Sequence, residues 1–227
     1  MKNKSQSGFS LVEMVVAVGL MALLLGGALR WQSILMQQEI GEKEADGMAQ
    51  FQYFVSAYFM QNRDAMLEAM WDGTDAAKHC RVGATAYDSA TDTFTGGSTA
   101  RSATLKTCAI DERFLSYKGF WTGAVAGAAD PRYVAIFKRR SDTSTDAEAF
   151  IAKMSPSGAL SQVSNIDRAL AMQGKLGSRA GYMPIGAAGP CVSTKTTPQA
   201  CGASWTVNLA DFIDSAQLST VKTVLPN

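Results

Sequence analysis

The chain contains little of what enzymes use for catalysis. Its 227 residues include one histidine, His79, and four cysteines. It has no GxSxG, phosphate-binding-loop or HExxH motif. The cysteine spacings do not match a CxxC zinc pattern, and one imidazole is too few for a metal site. These absences predict a protein that is not an enzyme and uses no cofactor or metal ion, with His79 as a surface residue.

The chain also lacks an excess of charge of either sign. Its formal net charge is +1, and a chain that starts at Phe9 loses Lys2 and Lys4 and keeps 19 basic against 20 acidic residues. Nucleic-acid binding normally requires a strongly basic face, so the overall charge gives no support for it. The local sequence FKRR at 137–140 could bind an acidic surface or DNA, although solvated residues at a strand edge are the favoured interpretation.

Proline is absent before Pro131, which leaves the first half of the chain free to form a long helix. Residues 9–29 are apolar except for Ser10 and Glu13. A helix over this segment is about 31 Å long, the thickness of a bilayer core. Lysines precede the segment, so the positive-inside rule places the N-terminus in the cytoplasm and the rest of the chain outside. Because a carboxylate at bilayer depth is costly, Glu13 is predicted to be functional.

The candidate processing site precedes the apolar segment, whereas a secretory signal peptide is cleaved after it. Cleavage between Gly8 and Phe9 would therefore trim the chain and leave it anchored. The stretch GFSLVEM (8–14), after a short basic leader, resembles the class III signal of type IV prepilins and of the pseudopilins of type II secretion. This resemblance implies cleavage after Gly8 by a prepilin peptidase, methylation of Phe9 and use of Glu13 in assembly.

The physical role predicted for Glu13 is to pair with a positive charge. Cleavage creates a charged α-amine on Phe9, one helical turn away. The pair could form within one subunit or between neighbouring subunits, where it would fix their axial stagger. The family resemblance implies the intersubunit pair; a protonated or snorkelling carboxylate is the alternative. Where the family often has a helix proline, this chain has Gly26 and Gly27, which are either a soft point or a place of close helix packing.

Beyond Arg30, apolar residues recur at spacings of three and four as far as Trp71. This pattern predicts one helix over about residues 9–71, whose second half packs on a head, with Asp72-Gly73 as its stop. Gly41 and Gly47 are candidate positions for a break or bend.

The rest of the chain predicts a small antiparallel sheet. The segments 132–140 and 147–155 form a hairpin, 164–177 is a short helix that stops at Gly177, and 203–213 is a further strand. Residues 73–130 are rich in small and polar side chains and are interpreted as a loop-rich connection. The fold class is therefore α+β, and the resemblance implies that the long helix packs on the sheet as in the pilin head.

Four cysteines in the head predict two disulfides and an oxidising location outside the inner membrane. Sequential pairing, Cys80 with Cys108 and Cys191 with Cys201, is the favoured connectivity, although three are available. The resemblance implies that the loop closed by Cys191 and Cys201 is exposed on a filament, where it serves as a staple or a contact.

The sequence therefore predicts three segments: a cleaved leader (1–8), a transmembrane and assembly helix (9–35) and an extracytoplasmic head (36–227). The resemblance implies a type IV pilus subunit for adhesion, motility or conjugation, which moves from the inner membrane to an extracellular pilus. Its partners would be other copies of itself, other pilins, the prepilin peptidase, the inner-membrane assembly platform and the membrane, with a host receptor or DNA as further candidates. The alternatives are a minor pilin or tip adhesin and a type II secretion pseudopilin.

Overall fold

The computed structural model describes the backbone of residues 11–125, 127, 132–154, 166–183, 193–194, 196–202 and 204–214, and within these ranges the side chains from residue 20 onward except 166, 167 and 182. The helices are α1 (Leu11–Gln61), α2 (Arg63–Trp71), α3 (Ala76–His79), α4 (Glu112–Tyr117) and α5 (Ile166–Leu176). The strands are β1 (Arg81–Val82), β2 (Ala86–Asp88), β3 (Thr93–Thr95), β4 (Ser98–Thr99), β5 (Arg101–Ser102), β6 (Thr107–Asp111), β7 (Arg132–Arg139), β8 (Ala147–Met154), β9 (Gly181–Tyr182), β10 (Gln199–Gly202) and β11 (Thr206–Asn208). A long N-terminal helix packed on small antiparallel sheets confirms the α+β prediction.

The long helix ends at the predicted residue but is not continuous. It is broken at Asn62, where the backbone leaves helical geometry and the side-chain amide donates to the carbonyl of Tyr58 at 3.0 Å. The break lets α2 turn onto the sheet and bury Met66 and Met70. Helix α2 ends at Trp71, and the helix stop follows at Gly73. Glycine adopts the positive φ of 93° at this position easily, and the N–H of Gly73 donates to the carbonyl of Glu68.

The predicted weak points Gly41 and Gly47 do not break α1, which runs through both. They are instead positions of close approach. A Cβ at Gly41 would lie 2.6 Å from the carbonyl oxygen of Arg168, and one at Gly47 would lie 2.8 Å from the hydroxyl oxygen of Tyr133. Glycine is therefore needed here for packing against α1, not for bending it.

The main sheet is antiparallel, with strand order β5-β6-β7-β8. The predicted hairpin is confirmed: β7 and β8 pair along their full lengths, with Ile136 opposite Phe150. Strand β6 pairs with the other edge of β7 and places Cys108 opposite Phe137.

The region between the long helix and β7 has more structure than predicted. It contains the short hairpin of β2 and β3, a second antiparallel pair of β1 with β4 that encloses this hairpin in sequence, and also β6 and α4. Helix α4 lies within residues 73–130, for which the sequence predicted a loop-rich connection. Asp111 starts this helix because its carboxylate accepts from the N–H of Phe114 at 2.9 Å, and the helix buries Phe114 and Leu115.

Each face of the main sheet covers a separate core. Alternate residues of β7 divide between them: Ala135 and Phe137 face α1, α2 and α4, whereas Val134 and Ile136 face the C-terminal segment. The residues buried in the first core include Phe51, Val55 and Tyr58 of α1, Met66, Leu67 and Met70 of α2, and Ile110 of β6. Those in the second include Ala152, Met154, Ala200, Leu209, Phe212 and Ile213.

The C-terminal predictions are confirmed in part. Helix α5 ends at Leu176, next to the predicted stop Gly177, whose φ is +70°. The predicted strand at 203–213 is only partly a strand: β11 covers Thr206–Asn208 and a 3-10 turn follows at Leu209–Asp211. The strand stops because the Asn208 side chain accepts from the N–H of Ala210 at 3.1 Å and starts the turn.

The predicted disulfide between Cys80 and Cys108 is confirmed. It joins the residue after α3 to β6, and both cysteines are fully buried. Cys201 is also disulfide-bonded. Cys191 lies outside the described residues, so the pairing of Cys191 with Cys201 stays a prediction.

Candidate functional site

The residues predicted to act in processing and assembly lie at the start of the chain. Gly8 and Phe9 are outside the described residues. Glu13 lies in α1, in the part of the helix where only the backbone is described. The roles predicted for these three residues therefore stay predictions. The side chains of α1 are described from Leu20 onward.

The first described part of α1 is an apolar helix that the head leaves uncovered. The side chains of Leu23 and Leu24 are 75% and 73% exposed, whereas Phe51 and Val55 further along the same helix are 0% and 2% exposed. The other large apolar residues exposed before the head are Leu20, Met21, Leu25, Leu29, Trp31, Leu35, Met36 and Ile40. A contiguous exposed apolar surface of this length is typical of an interaction site with protein or lipid.

No helix in the described part of the chain is long and apolar enough to cross a membrane. The predicted membrane segment, residues 9–29, begins outside that part, and the predicted segment boundaries at 8 and 35 are not tested. Apart from the backbone of its own helix, a Cβ at Gly26 or Gly27 would meet nothing within 4 Å among the described residues. Neither glycine is therefore required for packing inside the subunit.

Burial of α1 begins at Gly41, where α5 crosses the helix. Next to this crossing, the carboxylate of Glu44 is shared by two cations from different elements. Arg168 of α5 donates from Nε at 2.7 Å and also from Nη2, and Lys153 of β8 donates to the same carboxylate. A second ion pair, Lys175 with Asp46 at 2.6 Å, lies nearer to solvent.

The ionisation of Glu44 is favoured by these partners. Burial opposes it, but the hydrogen bonds from Arg168 and Lys153 outweigh burial and hold the pKa of Glu44 below its usual value. The hydroxyl of Tyr133 donates to the Glu44 carbonyl at 3.1 Å. Burial, and next the charge of Glu44, raise the pKa of Tyr133 to about 12, so this hydroxyl keeps its proton.

Aromatic rings fix the second half of α1 on the head. The ring of Phe51 lies 5.9 Å from Trp121 and 5.8 Å from Tyr133, and Phe59 stacks on Phe137 at 5.1 Å. Such contacts add to the burial energy of large apolar side chains. The head and the second half of α1 therefore form one packed unit from which the exposed apolar part projects.

His79 is not the surface residue that the sequence predicted. It is half-buried, and its Nδ1 lies 3.0 Å from the hydroxyl of the buried Tyr58. Burial, and next the charge of Lys118, lower the pKa of His79. The isolated histidine is thus a neutral hydrogen-bonding partner of α1 beside the disulfide at Cys80.

The charges of the FKRR segment are already engaged within the chain. Lys138 lies 3.8 Å from Asp211, Arg139 donates to the carbonyl of Leu67 at 3.1 Å, and Arg140 pairs with Glu148. The favoured interpretation, solvated residues at a strand edge, is wrong for Lys138 and Arg139, because β7 is paired on both sides and both residues are half-buried, whereas Arg140 is exposed.

A groove of about 570 Å³ lies on the outer face of the sheet. One wall is the β4–β5 segment around Thr99 and Arg101, and the opposite wall includes Val134 and Met154. Arg132 also lines it, but its guanidinium is engaged with the buried carboxylate of Asp111 at 3.4 Å. Among the residues that the structure describes, no cluster of three potential metal ligands occurs.

The charge cluster at Glu44 was not foreseen from the sequence, although a signal for it exists. Glu44 precedes Phe51 by seven residues and Val55 by eleven, so it lies on the buried face of the helix. A carboxylate on that face requires partners. Those partners come from segments more than 100 residues away, which periodicity cannot identify.

Comparison with known proteins supports the resemblance at the N-terminus. Residues 3–29 match the family model described as the prokaryotic N-terminal methylation motif. This motif is the signature of type IV pilins and pseudopilins, so the resemblance drawn from GFSLVEM is confirmed. The match covers Gly8, Phe9 and Glu13 and none of the head. No curated protein and no solved structure matches the chain significantly.

Proposed function

We propose that this chain is a structural subunit of a type IV pilus that has no catalytic activity of its own. After cleavage following Gly8, the subunit polymerises through its N-terminal helix into a filament for adhesion, motility or conjugation. The observation that carries the proposal is the overlap of two features along the sequence: the methylation motif at residues 3–29 and the uncovered apolar side chains of α1 from Leu20 to Ile40.

An apolar helix surface of this kind needs a partner that removes it from water. Before assembly, the partner we propose is the inner membrane, where the prepilin peptidase and the assembly platform would act on the subunit. After assembly, the same surface would pack against copies of itself and of other pilins in an extracellular filament. The head, held on the second half of α1, would then lie on the outside.

The experiment that tests the proposal is mass spectrometry of surface filaments sheared from cells that express the full chain. Abundant subunits that begin with N-methylated Phe9 are expected. Trace amounts in filaments built from another protein would favour the alternative of a minor pilin or tip adhesin. Processed protein that stays in the cell envelope without surface filaments would favour a type II secretion pseudopilin, and unprocessed protein would overturn all three assignments.

The head gives less support to receptor or DNA binding. The basic residues of FKRR are paired or bonded within the chain. The charged residues that line the groove include two arginines already engaged within the chain: Arg132 pairs with Asp111, and Arg101 donates to the carbonyls of Ala69 and Trp71. A polymer subunit is therefore preferred over a binding module.

A further inference from the structure

The contact between α5 and α1 lies where the exposed helix enters the head. Before Gly41, none of the described side chains of α1 is buried. Ala45 and Phe51, which follow, are fully buried. Helix α5 crosses α1 at this transition, with the carbonyl oxygen of Arg168 so close to Gly41 that a Cβ there would lie 2.6 Å from it.

Helix α5 is joined to the head by charged contacts, and its described apolar side chains are at most half-buried. None of the described side chains of α5 is buried, and none belongs to either core. By contrast, the Glu44 side chain is 13% exposed and its partners Lys153 and Arg168 are 24% and 28% exposed. Removing one member of such a partly buried cluster leaves an uncompensated charge, which costs much more than the loss of an exposed pair.

We propose that Glu44 is a positioning residue that sets the direction in which the apolar part of α1 leaves the head. Its carboxylate joins α1 to β8 through Lys153 and to α5 through Arg168, so three elements are fixed at the exit point of the helix. The consequence for assembly rests on the proposed function, because helices that pack together in a filament must all leave their heads at the same angle. The contact itself does not depend on it.

The first test is hydrogen–deuterium exchange of the full chain in detergent micelles, with Glu44→Gln compared with the unmodified chain. The amides of α5 are expected to exchange about tenfold faster or more in the variant, because the two cations lose their counter-charge. The amides of β7, which is paired on both sides, are expected to be unchanged and show that the head is still folded.

Glu39→Gln is the matched control on the same helix. Glu39 pairs with Lys43 at 2.7 Å, but its side chain is 66% exposed, so its loss is expected to change α5 exchange by less than about twofold. Arg168→Gln removes the other side of the cluster and is expected to act like Glu44→Gln. The double variant should be no worse than either single one, since both break the same contact.

Unchanged α5 exchange in both Glu44→Gln and Arg168→Gln would overturn the inference. So would equal effects of Glu44→Gln and Glu39→Gln, because the buried cluster would then have no special role.

A second readout separates this inference from the proposed function. In cells, Glu44→Gln is expected to be processed and inserted in the membrane normally, but to yield about tenfold fewer sheared filaments than Glu39→Gln. If the unmodified chain forms no filaments, the proposed function fails while the exchange result still decides the role of Glu44. If Glu44→Gln loosens α5 and filament yield is normal, the positioning role in assembly is wrong.

Discussion

The hydroxyl of Tyr58 lies 3.0 Å from Nδ1 of His79 and joins the long helix to the segment that carries the disulfide. Tyr58 is 1% exposed, and burial raises its pKa well above the ordinary value, so the hydroxyl keeps its proton. The neutral hydroxyl can donate to Nδ1 or accept from Nδ1–H, and the imidazole tautomer sets the direction of the bond.

We expect the stability of the folded chain to fall as the pH is lowered from about 7 to about 5. Burial, and next Lys118, lower the pKa of His79, so in this range the unfolded chain binds this proton more readily than the folded one. The stabilisation that arises from His79 is therefore fully present above its pKa in the unfolded chain, about 6.5. It is lost as the pH falls towards the lower pKa that His79 has in the folded chain. Urea unfolding of the full chain in detergent at a series of pH values measures it.

The control for this prediction is His79→Gln, whose side chain accepts from Tyr58 and does not titrate. Its stability should be nearly constant over the same pH range. The carboxylates of Glu44 and Asp92 do not contribute to the change between pH 7 and 5. Burial opposes their ionisation, but their cationic partners lower the pKa of each, so their protonation affects stability only below about pH 4.5. An equal loss of stability in His79→Gln and the unmodified chain would contradict the role given to His79.

Gly41→Ala tests the close approach of α5 to α1. The new Cβ would lie 2.6 Å from the carbonyl oxygen of Arg168, and overpacking of this kind costs about 1–3 kcal/mol against a gain of about 1 kcal/mol in helix propensity. We expect faster hydrogen exchange in α5. Gly174→Ala is the matched control within α5, because a Cβ there meets nothing within 4 Å. It should slow exchange, and the same direction of change in both variants would contradict the packing argument.

Asp111→Asn tests a buried carboxylate in the head. Asp111 is fully buried and accepts from the N–H of Gly83 at 2.7 Å, the N–H of Phe114 at 2.9 Å and the guanidinium of Arg132 at 3.4 Å. The amide keeps one acceptor and leaves Arg132 without its counter-charge, so we expect a loss of about 3–5 kcal/mol in the free energy of unfolding. The exposed Asp64→Asn should change it by less than about 1 kcal/mol. Urea unfolding of the two variants measures the difference.

Local sequence signals predicted the parts of the fold that local chemistry determines. The alternation of 132–140 and 147–155 located β7 and β8, and the helix stops at Trp71 and Leu176 followed from the glycines beyond them. The methylation motif was readable because its residues have a fixed spacing in the sequence.

The features that the sequence did not predict depend on tertiary partners. Nothing in the local sequence around Asn62 marks the break between α1 and α2, and both helices bury side chains in the first core. Gly41 and Gly47 were interpreted as weak positions of the helix, whereas they are positions of close packing. Their packing partners, Arg168 and Tyr133, are distant in sequence and cannot be identified from the local pattern. In the same way, the half-buried position of His79 depends on α3, which places it beside Tyr58.

The role of Glu13 is tested by Glu13→Ala. A carboxylate within a membrane segment opposes insertion, so the alanine variant should enter the membrane at least as well as the unmodified chain. Without the carboxylate, the α-amine of a neighbouring Phe9 has no counter-charge, and we expect about a tenfold or greater loss of sheared filaments. Glu39→Ala, which removes an exposed carboxylate of the same helix, controls for the loss of a charge alone. Because insertion is favoured by the substitution, a loss of filaments with normal membrane levels of protein that begins at Phe9 arises in assembly, whereas an undiminished filament yield from Glu13→Ala would exclude the intersubunit charge pair.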